Sequence, residues 1–214
     1  MPPWICTPRE ATSLPMSVAK AFATDIGSEV ASLGVQIHGG LGYIEETGAA
    51  QHLRDARIAA IYEGTNGIQA IDLVTRKISF ERGSAFRLEM EEMRWIVEQA
   101  KAAGERFADM AARLDDTLDG LEAAAAYLQQ ILRPEVLAGA TPFLRLFALA
   151  RGGTGLAALA LAAWREDPSD PAGRITLAQF FAQNIASGGV ALETAIVQGH
   201  ESVLESDAAL GISS

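Results

Sequence analysis

Ile61-Tyr62-Glu63-Gly64-Thr65-Asn66-Gly67-Ile68-Gln69 sets a carboxylate at the end of an apolar run, breaks the chain in a turn, and then resumes with apolar periodicity. This is the pattern of a helix, a tight junction and a second helix, with no strand-like alternation on either side. Glu63 follows Ile58 to Tyr62, so the sequence predicts a carboxyl group held at a helix mouth among apolar neighbours. Desolvation of that kind favours the neutral acid and raises its pKa toward the range of a general base. Gly64, Thr65, Asn66 and Gly67 then supply backbone N–H groups opening onto the next helix, where a phosphate or polar cofactor edge can dock. A solvated or helix-capping glutamate fits the same pattern, and spacing alone does not choose between them.

Working outward, Val18, Phe22, Ile26, Val30, Leu33 and Ile37 recur at three- and four-residue steps, predicting a helix from Ser17 to about His38. Gly39-Gly40 stops it. Thr47 is a candidate N-cap for a second helix to about Ala60, with Leu53, Ala56 and Ala60 aligned. A third begins at Thr65 or Asn66, carries Ile68, Ile71, Thr75 and Ile78 on its predicted buried stripe, and closes at Gly83, where we place a domain boundary. Downstream, Phe86–Ala103 and Glu105–Leu132 read as amphipathic helices, with Leu88, Trp95 and Ile96, then Phe107, Met110, Leu114, Leu118, Leu121 and Leu128 facing inward. Arg133-Pro134 breaks the second. A further helix covers about Thr141 to Arg165, Asp167-Pro168-Ser169-Asp170-Pro171 forms a loop, and a last helix runs from Ile175 to Gly199. The class is therefore all-α, with antiparallel helices and short links after residue 83 suggesting a four-helix bundle or close relative. Residues 1–16, proline-spotted and without periodicity, read as an irregular tail.

At 214 residues and 49% hydrophobic, the chain can bury a substantial core. Its formal charge of −10, concentrated beyond Arg82, argues against nucleic-acid or anionic-membrane partners, which require clustered Lys and Arg. Cys6 is the only cysteine, which excludes an intrachain disulfide and fits a reducing cytoplasm. His38, His52 and His200 lack metal-ligand spacing. The first 15 residues contain no apolar core of a secretory signal. The apolar run Leu156–Trp164 is too short to span a bilayer, so the Leu/Ala-rich Leu146–Trp164 stretch reads as a buried helix.

Two glycine clusters invite a nucleotide reading. Gly39-Gly40-Leu41-Gly42 lacks the preceding strand and spacing of a dinucleotide fingerprint, and by itself reads as a helix stop and tight turn. Gly152-Gly153-Thr154-Gly155 lies within a Leu/Ala-rich helix, where small residues permit close helix contact. Trp95 and Trp164 read as core anchors.

Tyr62-Glu63-Gly64-Thr65-Asn66-Gly67-Ile68-Gln69 resembles the catalytic loop of the flavin-dependent acyl-CoA dehydrogenases, and Gln36-Ile37-His38-Gly39-Gly40-Leu41-Gly42-Tyr43 resembles their second C-terminal signature. The Gly48–Arg57 segment between them, with Leu53-Arg54-Asp55-Ala56-Arg57, matches in order and spacing. The similarity is strong over about 17–83. Residues 84–214 resemble the all-helical C-terminal extension of longer bacterial members, of the methylmercaptopropionyl-CoA dehydrogenase type.

The resemblance implies FAD-dependent dehydrogenation of an acyl-CoA to a trans-2-enoyl-CoA, with electrons passed to electron-transfer flavoprotein. Glu63 would remove the proton beside the thioester while hydride leaves the adjacent carbon for the flavin. The thioester oxygen needs hydrogen bonds as enolate character grows. In the family these come from the glutamate's own backbone N–H, here Glu63, and from a hydroxyl of FAD. Thr65, Asn66 and Gly67 match positions that contact FAD, and Gln36, Ile37, His38, Gly39 and Gly40 match those against the pyrophosphate of FAD bound mainly to a neighbouring subunit, which implies a homo-oligomer. Tyr62, Glu63 and Gly64 match the acyl-CoA side. Tyr62 would line the acyl pocket or support the base, or is simply a packed aromatic.

Full family members carry an N-terminal helical domain and a central β domain that this chain has no room for. The abrupt start of similarity at Ser17 implies a truncated product, a misplaced start or a deliberately shortened chain, so the isolated chain need not be active. The rival expectation is a non-catalytic all-α assembly module derived from the family, pairing through exposed apolar faces.

Overall fold

The computed structural model describes residues 13–131, 135–169 and 173–205, and among these residues every regular element is helical. Helix α1 (Ser13–Ile37) begins four residues before the expected start, so Ser13–Met16 belong to it; the rest of the expected tail lies outside the described residues. Pro15 misleads here because the first helical turn tolerates proline, its missing N–H having no helical acceptor there. The short α2 (Gly40–Tyr43) and then α3 (Ala49–Ala59) fold back along α1. Gly48, at φ 77°, precedes α3, and Thr47 does not cap it: its hydroxyl instead donates to the carbonyls of Leu41 and Ile44.

Helix α4 (Asn66–Asp72) starts as expected, with Thr65 Oγ1 accepting from Ile68 N, and runs into a π-turn over Leu73–Lys77. Its buried stripe is Ala70, Leu73, Val74, Lys77 and Ile78, while Ile68 and Ile71 face outward. Both sets satisfy helical spacing; the buried one is selected by the neighbours, α1 and the long core helix described below. Glu81, Arg82 and Gly83 then adopt three consecutive left-handed conformations, at φ 46°, 59° and 77°, and turn the chain into α5 (Ser84–Ala102).

From there the chain forms a bundle. Helix α6 (Glu105–Leu128) returns along α5; after the short α7 (Glu135–Ala138), α8 (Ala140–Glu166) passes through the centre, packed against α5 and α6 and flanked by α9 (Arg174–Asn184) and α10 (Gly189–Gln198). The expected single last helix is thus divided, with a 3-10 turn at Ala186–Gly188 and a terminal α11 (His200–Leu204). Just after the break, a Cβ on Gly189 would press on Leu146 and Thr117, so glycine lets α10 begin close against α8 and α6. Phe107, Met110, Leu114, Leu118, Leu121 and Leu128 are buried as predicted, together with Phe143, Leu146 and Phe147 of α8. On α5 the inward face is Phe86, Met90, Met93, Ile96 and Val97, whereas Leu88 and Trp95 are exposed, one helical step away from the predicted stripe. Trp164 does anchor the core edge, meeting Phe107 edge-on at 5.9 Å with Arg106 stacked over it.

Helix α8 as a whole, at 27 residues, is long and apolar enough to cross a membrane, which the shorter run considered above is not. Its burial assigns it instead: 61% of its most apolar window is covered by the rest of the protein. The Gly152–Gly155 cluster works as a contact surface, since a Cβ on Gly153 would collide with Leu114 of α6 and crowd Phe181 of α9. Charges tie the helices outside the core. Arg94 reaches Asp115 at 2.6 Å and Glu122 at 3.2 Å, and Arg151 reaches Glu89 at 3.3 Å and Glu92 at 3.0 Å.

Candidate functional site

The Glu63 turn is set by a peptide geometry that amino acids with side chains avoid. Glu63 has φ 53° and Gly64 φ 86°, both left-handed. For a non-glycine residue that costs roughly 1–2 kcal/mol and persists only when its surroundings hold it. Here the holding groups come mainly from α1. Lys20 Nζ donates to the carbonyl of Gly64 at 2.7 Å and to Asn66 Oδ1 at 2.8 Å. Asn66 Nδ2 lies 3.0 Å from the Ala21 carbonyl and 2.6 Å from Asp25 Oδ1, and the Thr24 hydroxyl meets the same amide. Gln69 Nε2 donates to the Glu63 carbonyl at 3.3 Å; Ser17 Oγ donates to Gln69 Oε1 at 2.6 Å, and the buried Lys77 donates to Ser17 at 2.7 Å. Gly64 also gives Gln69 its room, because a Cβ there would stand 3.0 Å from Nε2.

The side chain of Glu63 is exposed, as are Ile58, Ile61 and Tyr62 before it. The apolar enclosure expected from the sequence is therefore absent among the described residues, and the desolvation argument loses its premise. The reason is topological: Ile58, Ile61 and Tyr62 do not turn into this chain's own core but face outward. The expected open amides are also fewer, since Asn66 N donates to Ala60 O at 3.1 Å. The cleft beside the turn, lined by residues including Phe22, Asp25, Ile26, Asn66, Gly67 and Arg145, holds about 100 Å³. Ligand pockets for molecules of flavin or coenzyme size are several times larger.

Gln36, Ile37, His38, Gly39 and Gly40 lie at the far end of α1, all exposed. Gly39 has φ 62°, and a Cβ at Gly39 or Gly40 would meet nothing, so this backbone is open to close approach. Gly42 serves the fold, since a side chain there would strike the Val35 carbonyl and lift α2 from α1. His38 Nδ1 sits 2.8 Å from the Gly34 carbonyl, which fixes its ring against the helix end. From Thr24 to His38, at 1.5 Å per residue, α1 separates this segment from the Glu63 turn by roughly 20 Å. The chain thus brings Tyr62, Glu63, Gly64, Thr65, Asn66 and Gly67 together and leaves Gln36–Gly40 apart. For a flavin, each cluster fits as one edge of a binding site: open glycine backbone at one, a rigid polar turn at the other, neither enclosing.

Sequence reading missed Ser17, Lys20, Thr24 and Asp25. Their signal is present: Ser17, Lys20, Thr24 and Ser28 form a polar stripe at three- and four-residue steps beside the apolar one. Ser28 extends it by reaching the Ala56 carbonyl at 3.5 Å.

Residues 7–78 match the family model described as acyl-CoA dehydrogenase, C-terminal domain, and residues 90–207 match the one described as acetyl-CoA dehydrogenase C-terminal like. The first match begins ten residues before Ser17, within the stretch expected to be unlike the family. Among curated relatives, the 3-methylmercaptopropionyl-CoA dehydrogenase of Ruegeria pomeroyi is 38% identical over 193 residues, covering 83% of this chain and 33% of that protein. A butyryl-CoA dehydrogenase of Syntrophomonas wolfei is 28% identical over 84% of this chain and 31% of its own length. The caffeyl-CoA reductase-Etf complex subunit CarC of Acetobacterium woodii is 47% identical over 53 residues, 25% of this chain and 14% of that subunit. The chain spans about a third of the length of the first two.

Proposed function

The chain belongs to the acyl-CoA dehydrogenase family, and on that footing we propose that it forms the C-terminal part of an FAD-dependent enzyme that converts an acyl-CoA thioester to its trans-2-enoyl-CoA, with Glu63 as the base. The observation that carries this reading is the left-handed backbone of Glu63, pinned through the carbonyls on both sides of the Glu63–Gly64 junction. Strain of this kind is held where a side chain must leave the backbone in one direction. Glu81 and Arg82 share this backbone in a plain turn; what supports the reading at Glu63 is that Lys20 and Gln69 pin its turn at the position that matches the family's glutamate.

In this reading the Glu63 carboxylate takes the proton from the carbon beside the thioester, and its backbone N–H steadies the thioester oxygen as negative charge grows there. Tyr62 and Gly64 border the acyl group. Thr65, Asn66 and Gly67 hold one edge of FAD, and Gln36, Ile37, His38, Gly39 and Gly40 hold the pyrophosphate of a second FAD across a homo-oligomer. When bound, FAD supplies the acceptor for the hydride that leaves the adjacent carbon. Electron-transfer flavoprotein is the onward acceptor, and the setting is cytoplasmic. The domain division we propose is a catalytic segment, 17–83, followed by a helical extension, 84–214, with one apolar core continuous across both.

A second reading, a non-catalytic assembly module, draws on a different observation: Val30, Leu33, Ile37, Leu41, Tyr43, Ile58 and Ile61 are all exposed. Large apolar side chains left exposed in that number favour an interaction surface. Both readings predict association; only the first requires flavin. The visible absorption spectrum of the purified chain, taken after incubation with FAD and desalting, separates them. Flavin near one per chain that bleaches on adding acyl-CoA supports the enzyme, and colourless protein means that the motifs mark ancestry and a shared half-site that a partner chain has to complete. In a preparation that turns over, Glu63→Gln is expected to bind acyl-CoA and lose dehydrogenation, because the amide has no usable basic site. Near-normal turnover by that variant removes Glu63 from the role.

A further inference from the structure

We propose that Lys20 is a positioning residue that locks the Glu63 turn in its strained conformation, with the Lys77–Ser17–Gln69 relay as a second anchor. This rests on the functional reading above for its purpose, though the lock itself is a property of this chain. The argument begins with the peptide planes. Glu63 at φ 53° and Gly64 at φ 86° would relax toward ordinary turn geometry if their carbonyls were free to rotate. Neither is free. The Gly64 carbonyl accepts from an ammonium group at 2.7 Å, and the Glu63 carbonyl accepts from Gln69 at 3.3 Å.

The two anchors differ in strength. Lys20 bonds are charge-assisted, and the ammonium also takes Asn66 Oδ1, the side chain of the first residue of α4, at 2.8 Å. One cation therefore bridges the turn and the start of the helix that follows it. The second anchor is a relay of neutral amide and hydroxyl bonds from Gln69 to Ser17, fixed at its far end by Lys77, which also sits 3.4 Å from Asp72. Ser17 and Lys20 are three residues apart and share a face of α1, so both anchors depend on the placement of that one helix. The consequence is that the direction of the Glu63 side chain is set by a rigid element, and a rotation of α1 would move it.

Hydrogen exchange tests this on the chain itself, with no ligand. The Asn66, Ile68 and Gln69 amides are bonded to Ala60 O, Thr65 Oγ1 and Thr65 O and report whether the turn is closed, while amides of α8 report the bundle. Lys20→Met is expected to speed exchange at these three amides by about tenfold or more with α8 unchanged, Lys20→Arg to recover part of the protection, and Ser17→Ala to give a smaller local increase. Unchanged turn amides in Lys20→Met overturn the proposal, as does a parallel rise in α8, which would mark general loss of stability. If Lys20→Met does not fold, Lys20→Gln, which removes the charge and keeps a polar stem, is read in the same way: faster exchange confined to the turn supports the lock, and unchanged turn amides overturn it. In a preparation that turns over, Lys20→Met should lower kcat with KM held. A positive exchange result beside a fully active Glu63→Gln would leave the lock standing and remove the catalytic reading.

Discussion

Residues 13–83 and 84–205 are both helical and both rich in apolar side chains, yet they treat water differently. In the second region the apolar stripes of α5, α6 and α8 close on one another. In the first, α1 buries Leu14, Val18 and Ala21 and then runs its stripe into solvent, with Val30 60%, Leu33 49% and Ile37 83% exposed. The same periodicity thus has two meanings. In the bundle it is satisfied within the chain; along α1 to α4 it is left for a surface that the described residues do not supply. Polar geometry runs the other way: the strained Glu63 turn and its ammonium clamp belong to the region with the thinner core.

The largest expected effect tests that contrast directly. Phe147→Ala, at a fully buried position, should cost about 3–5 kcal/mol in a denaturant titration, whereas Ile37→Ala should fall within about 0.5 kcal/mol. Equal losses would show that the α1 stripe is covered in solution, and a concentration dependence of the Ile37→Ala loss would say that another copy covers it. Next, Gly153→Val should lower stability by about 1–3 kcal/mol by forcing α6 and α9 away from α8, and a neutral result would mean that this crossing is loose.

A pH titration compares the regions through one carboxylate in each. Hydrogen bonding to Arg76 holds the Asp72 carboxyl below its ordinary range, and Coulombic attraction from Arg76 and Lys77 adds to it. A depressed acid contributes stability that is present above its unfolded pKa and lost as pH falls through the folded value, so Asp72→Asn should flatten the acid limb. Burial raises Glu89, and Arg151 offsets only part of that. A raised acid works in the opposite direction: stability declines as pH rises from the unfolded carboxylate value through the higher folded one, and Glu89→Gln should remove that decline. The smallest effect is at the turn. Glu63→Gly should stabilise the chain by about 0.5–1 kcal/mol, since glycine accepts left-handed φ without strain. Destabilisation instead would mean that the carboxylate makes a contact that outweighs its backbone cost.

The bundle was legible in the sequence because burial and periodicity agree there: Phe107 through Leu128 lie where their spacing puts them. The rotated stripes of α4 and α5 were not, because Ile68 or Ala70, and Trp95 or Met93, satisfy the same spacing and only the partner helix decides. The break at Ala186–Gly188 was hidden because a glycine pair such as Gly188-Gly189 in a helical pattern reads alike whether it bends the chain or lets another helix approach. At the candidate site, the order of residues marked the turn, while the enclosure expected around Glu63 failed because sequence neighbours do not determine which way an apolar run faces. Lys20 was overlooked for the converse reason. The polar stripe from Ser17 to Ser28 marks a face of α1, but the partners of Lys20 lie 44 and 46 residues away and the stripe does not say which they are.

The central position of α8 has a consequence for synthesis. Its apolar surface leaves the ribosome before α9 and α10 exist to cover it, and its early shelter comes from the helices already made, α5 and α6 with α1 and α4. During that interval a 27-residue apolar helix resembles a segment bound for the translocon or for aggregation. The side chains of α6 that meet Gly153 therefore bear on the fate of the nascent chain as well as on the finished fold: rapid pairing of α6 with α8 shortens the exposure, and slow pairing would commit the chain to chaperones.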